Sequence, residues 1–348
     1  VNDTMGHTAG DMLLLEVTER IKTSVRKSDM VARMGGDEFT VVLGRSCSKE
    51  QVAKIAQRII TSLNKPFTIN GQNVFVSASI GISCAPEDGY DAEVLVKNAD
   101  TAMYFAKENG RSQYQFHTSE MTAAAVERVN LENSLREAID NGEIGVKYQP
   151  KVDILSGIVT GAEALARWYK PNYGQISPSA FIPVAEETGL IVPIGEQILD
   201  QVCRQGKLWR DSGMNHVKLA VNFSAKQLQD PVGITKLIEH KMNMYGLPFD
   251  CLEMEITESC IMVEPEIAAE TLRRVKELGV TVAIDDFGTG YSSLAYLKRF
   301  AVDTLKIDRT FIKDATEDQN AAAIVRSVIV MAHSLGLRVV AEGVETLS

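Results

Sequence analysis

Cysteine is sparse and scattered in this chain: Cys47, Cys84, Cys203, Cys251 and Cys260 are odd in number and contain no Cys-x-x-Cys pair. That pattern speaks against a disulfide framework and against zinc or redox roles, and fits reduced core thiols of a cytosolic chain. Positive charge is also in short supply. The net charge of −10 argues against general binding to nucleic acid or an anionic membrane, so an anionic ligand would need a metal or a local arginine. No apolar run is long and clean enough to cross a membrane. The most apolar stretch, Ala321 to Leu337, carries Arg326, Ser327 and His333 at helical spacing and reads as a core helix. With no signal peptide or anchor, a cytoplasmic location is expected, although a longer parent could be anchored upstream. The rest is ordinary: 348 residues, 45% hydrophobic and 24% charged, are ample for two hydrophobic cores. The chain begins at Val1 without a methionine and stops soon after Glu342, and it reads as a fragment of a longer protein.

One stretch organises the remainder. Val280 to Ile284 reads as a short buried strand, and it ends on the adjacent carboxylates Asp285 and Asp286, followed by a glycine-punctuated loop. Adjacent aspartates in such a place repel and lose hydration, which a divalent metal would relieve. Other apolar runs also close on polar groups: Leu219 to Asn222, Leu252 to Glu255, Thr304 to Lys306 and Val339 to Glu342. Helix-like stretches lie between them, and chemistry gathered at strand C-termini is the pattern of a β/α barrel. The expected strands are 145–152, 159–165, 217–223, 252–257, 281–284, 302–307 and 338–341, with helices at 194–209, 225–245, 268–278 and 321–335. Seven strands leave an eight-fold barrel one short.

Singly, Glu163, Asn222 or Glu255 could each be a satisfied hydrogen-bonding group. Together at one end of successive strands, without cations, such carboxylates would lose several kcal/mol each. Oxygen ligands without a histidine cluster favour Mg²⁺ or Mn²⁺, and the number of carboxylates suits two ions ~3.5–4 Å apart, as in phosphodiester hydrolysis. Lys306 would then orient or activate water and balance charge, and Arg167 could grip a phosphate oxygen.

The N-terminal part reads differently. A helix is expected over 10–26, then a hairpin of Met30 to Met34 and Phe39 to Leu43 around Gly35-Gly36-Asp37-Glu38. Asp37 and Glu38 could be solvated turn residues. However, the polar loop from Asn2 to Asp11 runs into a helix as a nucleotide site needs, and Arg26 and Asp29 precede the hairpin. Glu120 to Asn141 has no proline or glycine and reads as a linker helix with a narrow apolar stripe; a partner-binding helix is the alternative. Its stiffness would make domain orientation open to regulation.

From Asn2 through Arg111 the chain resembles the GGDEF diguanylate cyclase family. The resemblance implies an α+β domain, an antiparallel sheet flanked by helices and related to the polymerase palm, which condenses two GTP into cyclic di-GMP across a dimer. By motif, Asn2 and Asp11 would read guanine and Asp37 would bind metal, with Glu38 beside it and Arg33 in the same half-site. Arg26 and Asp29 match the family's product-inhibition site, and Lys107 and Arg111 its phosphate contacts. The family's first strand would precede Val1, so this chain is not expected to make cyclic di-GMP.

From Glu143 to Ser348 the chain resembles the EAL phosphodiesterase family, carried by Glu163-Ala164-Leu165, Val221-Asn222-Phe223-Ser224, Glu255-Ile256-Thr257-Glu258 and Asp285-Asp286-Phe287-Gly288. The resemblance implies hydrolysis of cyclic di-GMP to linear pGpG in a TIM-like (β/α)8 barrel whose first strand runs antiparallel, here lacking its last strand. Glu163, Asn222, Glu255 and Asp285 would hold one ion, and Asp286, sharing Asp285, the second. Glu342 would hold or deprotonate the water, Lys306 would be the catalytic lysine, Gln149 and Arg167 would contact substrate, and Glu258 would anchor the loop from Asp286 to Ser293. A homodimer and a sensor domain upstream are further implications. The expected domains are 1–116 and 143–348, joined by 117–142. Rival readings are a cyclic di-GMP receptor without turnover and an unrelated Mg²⁺ enzyme acting on an enolisable acid.

Overall fold

The computed structural model describes residues 5–44, 47–171, 173–288, 300–315 and 318–344. By its internal contacts the chain divides into two units, Val1–Val129 and Asn130–Ser348.

In the first unit, α1 (His7–Thr23) places Ala9, Leu13, Val17 and Ile21 in the core, the three-to-four-residue spacing of one helix face. It begins at His7, three residues before the expected start, behind Gly6 at φ +83°. The hairpin strands β1 (Met30–Gly35) and β2 (Glu38–Val42) pair antiparallel, and Gly36 takes the positive φ that the tight turn requires. Helix α2 (Lys49–Leu63) opens with a Ser48/Gln51 capping box. The short strands β3 (Phe67–Ile69) and β4 (Gln72–Val74) form a second hairpin. The remaining pair departs from the antiparallel expectation. β5 (Ile80–Ile82) and β6 (Tyr114–Phe116) run parallel, because α3 (Ala92–Glu108) carries the chain across between them.

Helix α4 (Ser119–Asn141) spans the division between the units. Within the second unit its Leu135 and Ala138 are fully buried, with Leu131 and Ile139 packed on the same core.

That second unit is built on a single sheet. β7 (Ile144–Val152) runs antiparallel to β8 (Val159–Lys170). β8 is then followed by the parallel strands β10 (Lys218–Asn222), β11 (Leu252–Thr257), β12 (Thr281–Phe287), β13 (Thr304–Ile307) and β14 (Arg338–Ala341), while β9 (Gly174–Ile176) pairs back on β8. Around it lie α5 (Pro178–Thr188), α6 (Ile191–Asp211), α7 (Ala225–Leu228), α8 (Pro231–Tyr245), α9 (Glu258–Val263), α10 (Pro265–Glu277), α11 (Arg309–Asp314) and α12 (Gln319–Ser334). Helix α6 buries Ile191, Ile194, Ile198, Val202 and Gly206; a Cβ on Gly206 would lie 2.3 Å from Leu219 Cδ1, so only glycine lets this helix approach β10 so closely. The central parallel strands β10 to β13 are buried nearly throughout, as expected where helices cover a parallel sheet.

Three sequence expectations need correction. The helix expected over 225–245 is two, because Asp230 caps a new start at Pro231 through a 2.8 Å bond from the Gly233 amide. Helix α5 was not anticipated, with Pro178 opening it and Pro183 inside it. The strand expected to stop at Ile284 continues to Phe287, and its register against β13 shifts between Ile284 and Phe287. Asp285 and Asp286 therefore sit on a bulge, with Asp286 at φ +53°, and the bulge re-aims adjacent side chains that a regular strand would send to opposite faces. Among the described helices none is long and apolar enough to cross a membrane.

Candidate metal centre and active site

Three strands, β8, β11 and β12, and the residue after a fourth, β14, deliver carboxylates to one ammonium group. Lys306, on β13 and 1% exposed, donates to Glu163 Oε2 at 3.0 Å, Glu255 Oε2 at 2.9 Å and Asp285 Oδ2 at 2.9 Å, and lies 2.7 Å from Glu342 Oε1. Asn222, at the end of β10, donates its side-chain amide to the other oxygen of Glu163 at 2.8 Å. Two groups of acidic oxygens lie within 4.8 Å of one another: Glu163 with Glu255 and Asp285, and Asp285 with Asp286 and Glu342. Asp285 belongs to both. The donors are all hard oxygens, and no histidine or cysteine enters either group, which suits Mg²⁺, Mn²⁺ or Ca²⁺ better than zinc.

A second layer, not anticipated from the sequence, lies against the first. Lys151 on β7 donates to Glu253 Oε1 at 2.8 Å and also to Glu255 Oε1, while Glu253 Oε2 accepts from Thr304 Oγ1 at 3.1 Å. Five carboxylates, Glu163, Glu253, Glu255, Asp285 and Glu342, thus meet two ammonium groups and the Arg338 guanidinium, with a sixth, Asp286, adjoining. The surplus of negative charge in a low-dielectric barrel is the observation that calls for cations. Glu253 could have been found: it stands two residues before Glu255, and alternate strand residues share a face. Asp308, hydrogen-bonded to Asp286 from the end of β13, carried no comparable signal.

Proton affinities follow from this crowding. Burial pushes Glu255 up to about 7, against the pull of Lys306 and Lys151. Burial also raises Glu342, with Lys306 opposing and Asp285 assisting, and raises Asp286 together with the Asp285 and Asp308 charges. Glu163 goes the other way: burial works to raise it, but Lys306 and the Asn222 bond outweigh burial and hold it below the usual carboxylate range. Lys306 is itself raised, because the surrounding carboxylates overcome the burial that would lower it.

The signs give a test. A buried acid raised from 4.5 to about 7 keeps its proton in the folded chain where the unfolded chain has lost it, so without added metal its contribution to stability falls as pH rises between those values. A cation bound at Glu255 must displace that proton. Mn²⁺ affinity is therefore expected to rise from about pH 6 to about pH 8, with proton release detectable in weakly buffered titrations. Affinity independent of pH over that range would contradict the assignment of Glu255 as a ligand.

The other anticipated residues are placed as follows. Gln149 is exposed on β7, opposite Glu163 in register. Arg167, half-buried on β8, donates to the Ala166 carbonyl at 2.8 Å. Glu258 is buried and accepts the Gly288 amide at 3.4 Å; the loop it was expected to anchor lies outside the described residues from Thr289 to Ser293. In the first unit Asp37 and Glu38 are exposed at the hairpin turn, and Arg33 donates to the Gly36 carbonyl through Nε at 2.9 Å and Nη2 at 2.7 Å. Asp29 accepts the Arg26 amide at 2.8 Å and the Gly44 amide at 3.3 Å, closing the turn ahead of β1. Asp11, Arg26, Lys107 and Arg111 are exposed, Arg111 at φ +56°, and Asn2 lies outside the described residues. Among the described residues Asp37 joins no group of acidic, histidine or cysteine side chains able to hold an ion.

Comparison with known proteins bears on both units. The family described as the EAL domain matches residues 132–347, and that described as the diguanylate cyclase GGDEF domain matches residues 1–113. The chain is 44% identical over 346 residues to the bifunctional diguanylate cyclase/cyclic di-GMP phosphodiesterase MucR of Pseudomonas aeruginosa, covering 99% of this chain and 50% of MucR. It is 42% identical over 348 residues to the cyclic di-GMP phosphodiesterase PdeR of Escherichia coli, covering 99% of this chain and 52% of PdeR. The chain thus spans about half the length of these curated relatives. A solved structure of the PaMucR phosphodiesterase in complex with c-di-GMP is similar with TM-score 0.60 and 43% identity, covering 63% of this chain and 88% of that one.

Proposed function

Because the chain belongs to the EAL domain family, with a GGDEF domain ahead of its barrel, we propose that the barrel hydrolyses cyclic di-GMP to linear pGpG using two divalent cations, Mg²⁺ or Mn²⁺. The observation that carries this reading is the convergence of Glu163, Glu255, Asp285 and Glu342 on Lys306, with Asp286 adjoining. Glu163, Asn222, Glu255 and Asp285 are suited to one cation, and Asp285, Asp286 and Glu342 to the other. When bound, the cations would supply Lewis-acid stabilisation of the phosphodiester and a water ionised at neutral pH.

The chain's own residues do the rest. Lys306, its three N–H bonds taken by Glu163, Glu255 and Asp285, holds the carboxylates together and supplies positive charge beneath the place where an anionic phosphate would enter. Glu342, its proton affinity raised by burial, is suited to accept a proton from the attacking water. Arg167 can fork onto a phosphate oxygen, and Gln149 lies on the neighbouring strand to contact the nucleotide. In the reaction the oxygen of water bonds to phosphorus as one P–O ester bond breaks, which opens the ring.

The GGDEF unit is proposed to bind GTP through Asn2, Asp11, Arg33 and Glu38, with metal at Asp37, as regulator of the barrel or as a cyclase in the intact protein. Arg26 and Asp29 are proposed to bind cyclic di-GMP as an inhibitor. Domain limits of 1–116 and 143–348, a stiff connection over 117–142, a barrel-mediated homodimer, an upstream sensor and a cytoplasmic site of action belong to the same proposal.

The test is incubation with cyclic di-GMP and Mg²⁺ or Mn²⁺, following linear product by chromatography, with chelator as control. Metal-dependent product supports the hydrolase. Tight binding with no product under any metal would make the chain a receptor.

A further inference from the structure

Each of the two oxygens of the buried Glu255 carboxylate carries a lysine. Oε2 accepts from Lys306 at 2.9 Å, and Oε1 accepts from Lys151, which the chemistry above does not use. Lys151 is itself held in place. Its ammonium donates to Glu253 Oε1 at 2.8 Å, and Glu253 Oε2 accepts from Thr304 Oγ1 at 3.1 Å and Arg338 Nη2 at 3.5 Å. A line of contacts from β14 and β13, through β11, to β7 therefore ends on the one oxygen of Glu255 that Lys306 leaves. Glu253 and Glu255 project from the same face of β11, so without a cation between them the two buried carboxylates would repel. Lys151 is that cation, supplied from the antiparallel strand.

We infer that Lys151, held by Glu253, is a positioning residue of the cation centre. By pinning Oε1 of Glu255 it presents Oε2 towards Glu163 and Asp285 and the ion they would share. This rests on the cation-centre reading proposed above. Partners that orient a metal-ligating side chain are typically worth about 10–100-fold in metal affinity.

The test compares Mn²⁺ binding, without nucleotide, by wild type, Lys151→Met, Lys151→Arg and the double variant Lys151→Met/Glu253→Gln. The single methionine change strands two buried carboxylates and can fail to fold, whereas the double variant removes both charges at similar volume. The double variant is expected to keep the wild-type circular dichroism and to bind Mn²⁺ about 10–100-fold more weakly. Lys151→Arg is expected to keep most of the affinity. In the hydrolysis assay the loss should appear in the metal concentration giving half-maximal rate, with kcat at saturating metal largely recovered. A folded double variant with wild-type Mn²⁺ affinity overturns the inference and leaves Lys151 a structural ion pair. A wild type that binds no Mn²⁺ overturns the cation centre itself, so the two failures are distinguishable.

Discussion

Asp285→Asn is expected to lower cyclic di-GMP hydrolysis on the order of 10²–10⁴-fold at saturating metal, more than any other single carboxylate-to-amide change in the barrel. The reason is position. Asp285 is the one residue common to both groups of acidic oxygens, and its Oδ2 accepts from Lys306 at 2.9 Å. The amide keeps the shape but removes a charge and a hard anionic ligand from both proposed ion positions at once. Asp286→Asn touches only one group and should leave more activity. Initial rates with matched circular dichroism check this; an Asp285→Asn chain within about tenfold of wild type would show that the two groups do not act as one centre.

The second large effect concerns stability. Lys306→Met, measured with chelator present, is expected to lower unfolding free energy by about 3–5 kcal/mol, because it leaves Glu163, Glu255, Asp285 and Glu342 converging without their cation. The sign agrees with proton linkage. A lysine held above its usual 10.5 contributes stability that is fully present below that value and is lost only as pH rises through the still higher folded value. Divalent metal should offset part of the loss, since a ligand at about 100 times its Kd adds about 2.7 kcal/mol to the folded state. Melting temperatures with and without Mn²⁺ check both halves. The metal-induced rise should be larger in the variant than in wild type, with hydrolysis still impaired, and an equally stable variant would contradict the charge argument.

The main line of the barrel was legible because polar groups interrupt its apolar strands: Glu163, Asn222, Glu255, Asp285 and Lys306 stand out against Ile, Val, Leu and Ala, although Glu163 stands inside β8 and not at its end. The hairpin at Gly35 and Gly36 was legible for a local reason, a turn that glycine permits. What escaped depends on tertiary pairing. Lys151 and Glu253 are 102 residues apart and make sense only once β7 and β11 face one interior. Two adjacent aspartates resemble a strand end, so the sequence alone stops β12 at Ile284, whereas a bulge lets the strand continue through them. Asp230-Pro231 is itself a helix-start pattern, but the helical periodicity on either side of it reads as one continuous helix.

The proposed centre depends on one physical relation: its carboxylates outnumber its cationic side chains, and divalent cations would make up the difference. Equilibrium binding of Mn²⁺ to the chain without nucleotide tests it most directly, with Asp285→Asn as control. Two ions per chain are expected near neutral pH, both weakened by the single substitution. No bound ion, or binding indifferent to Asp285, would contradict it.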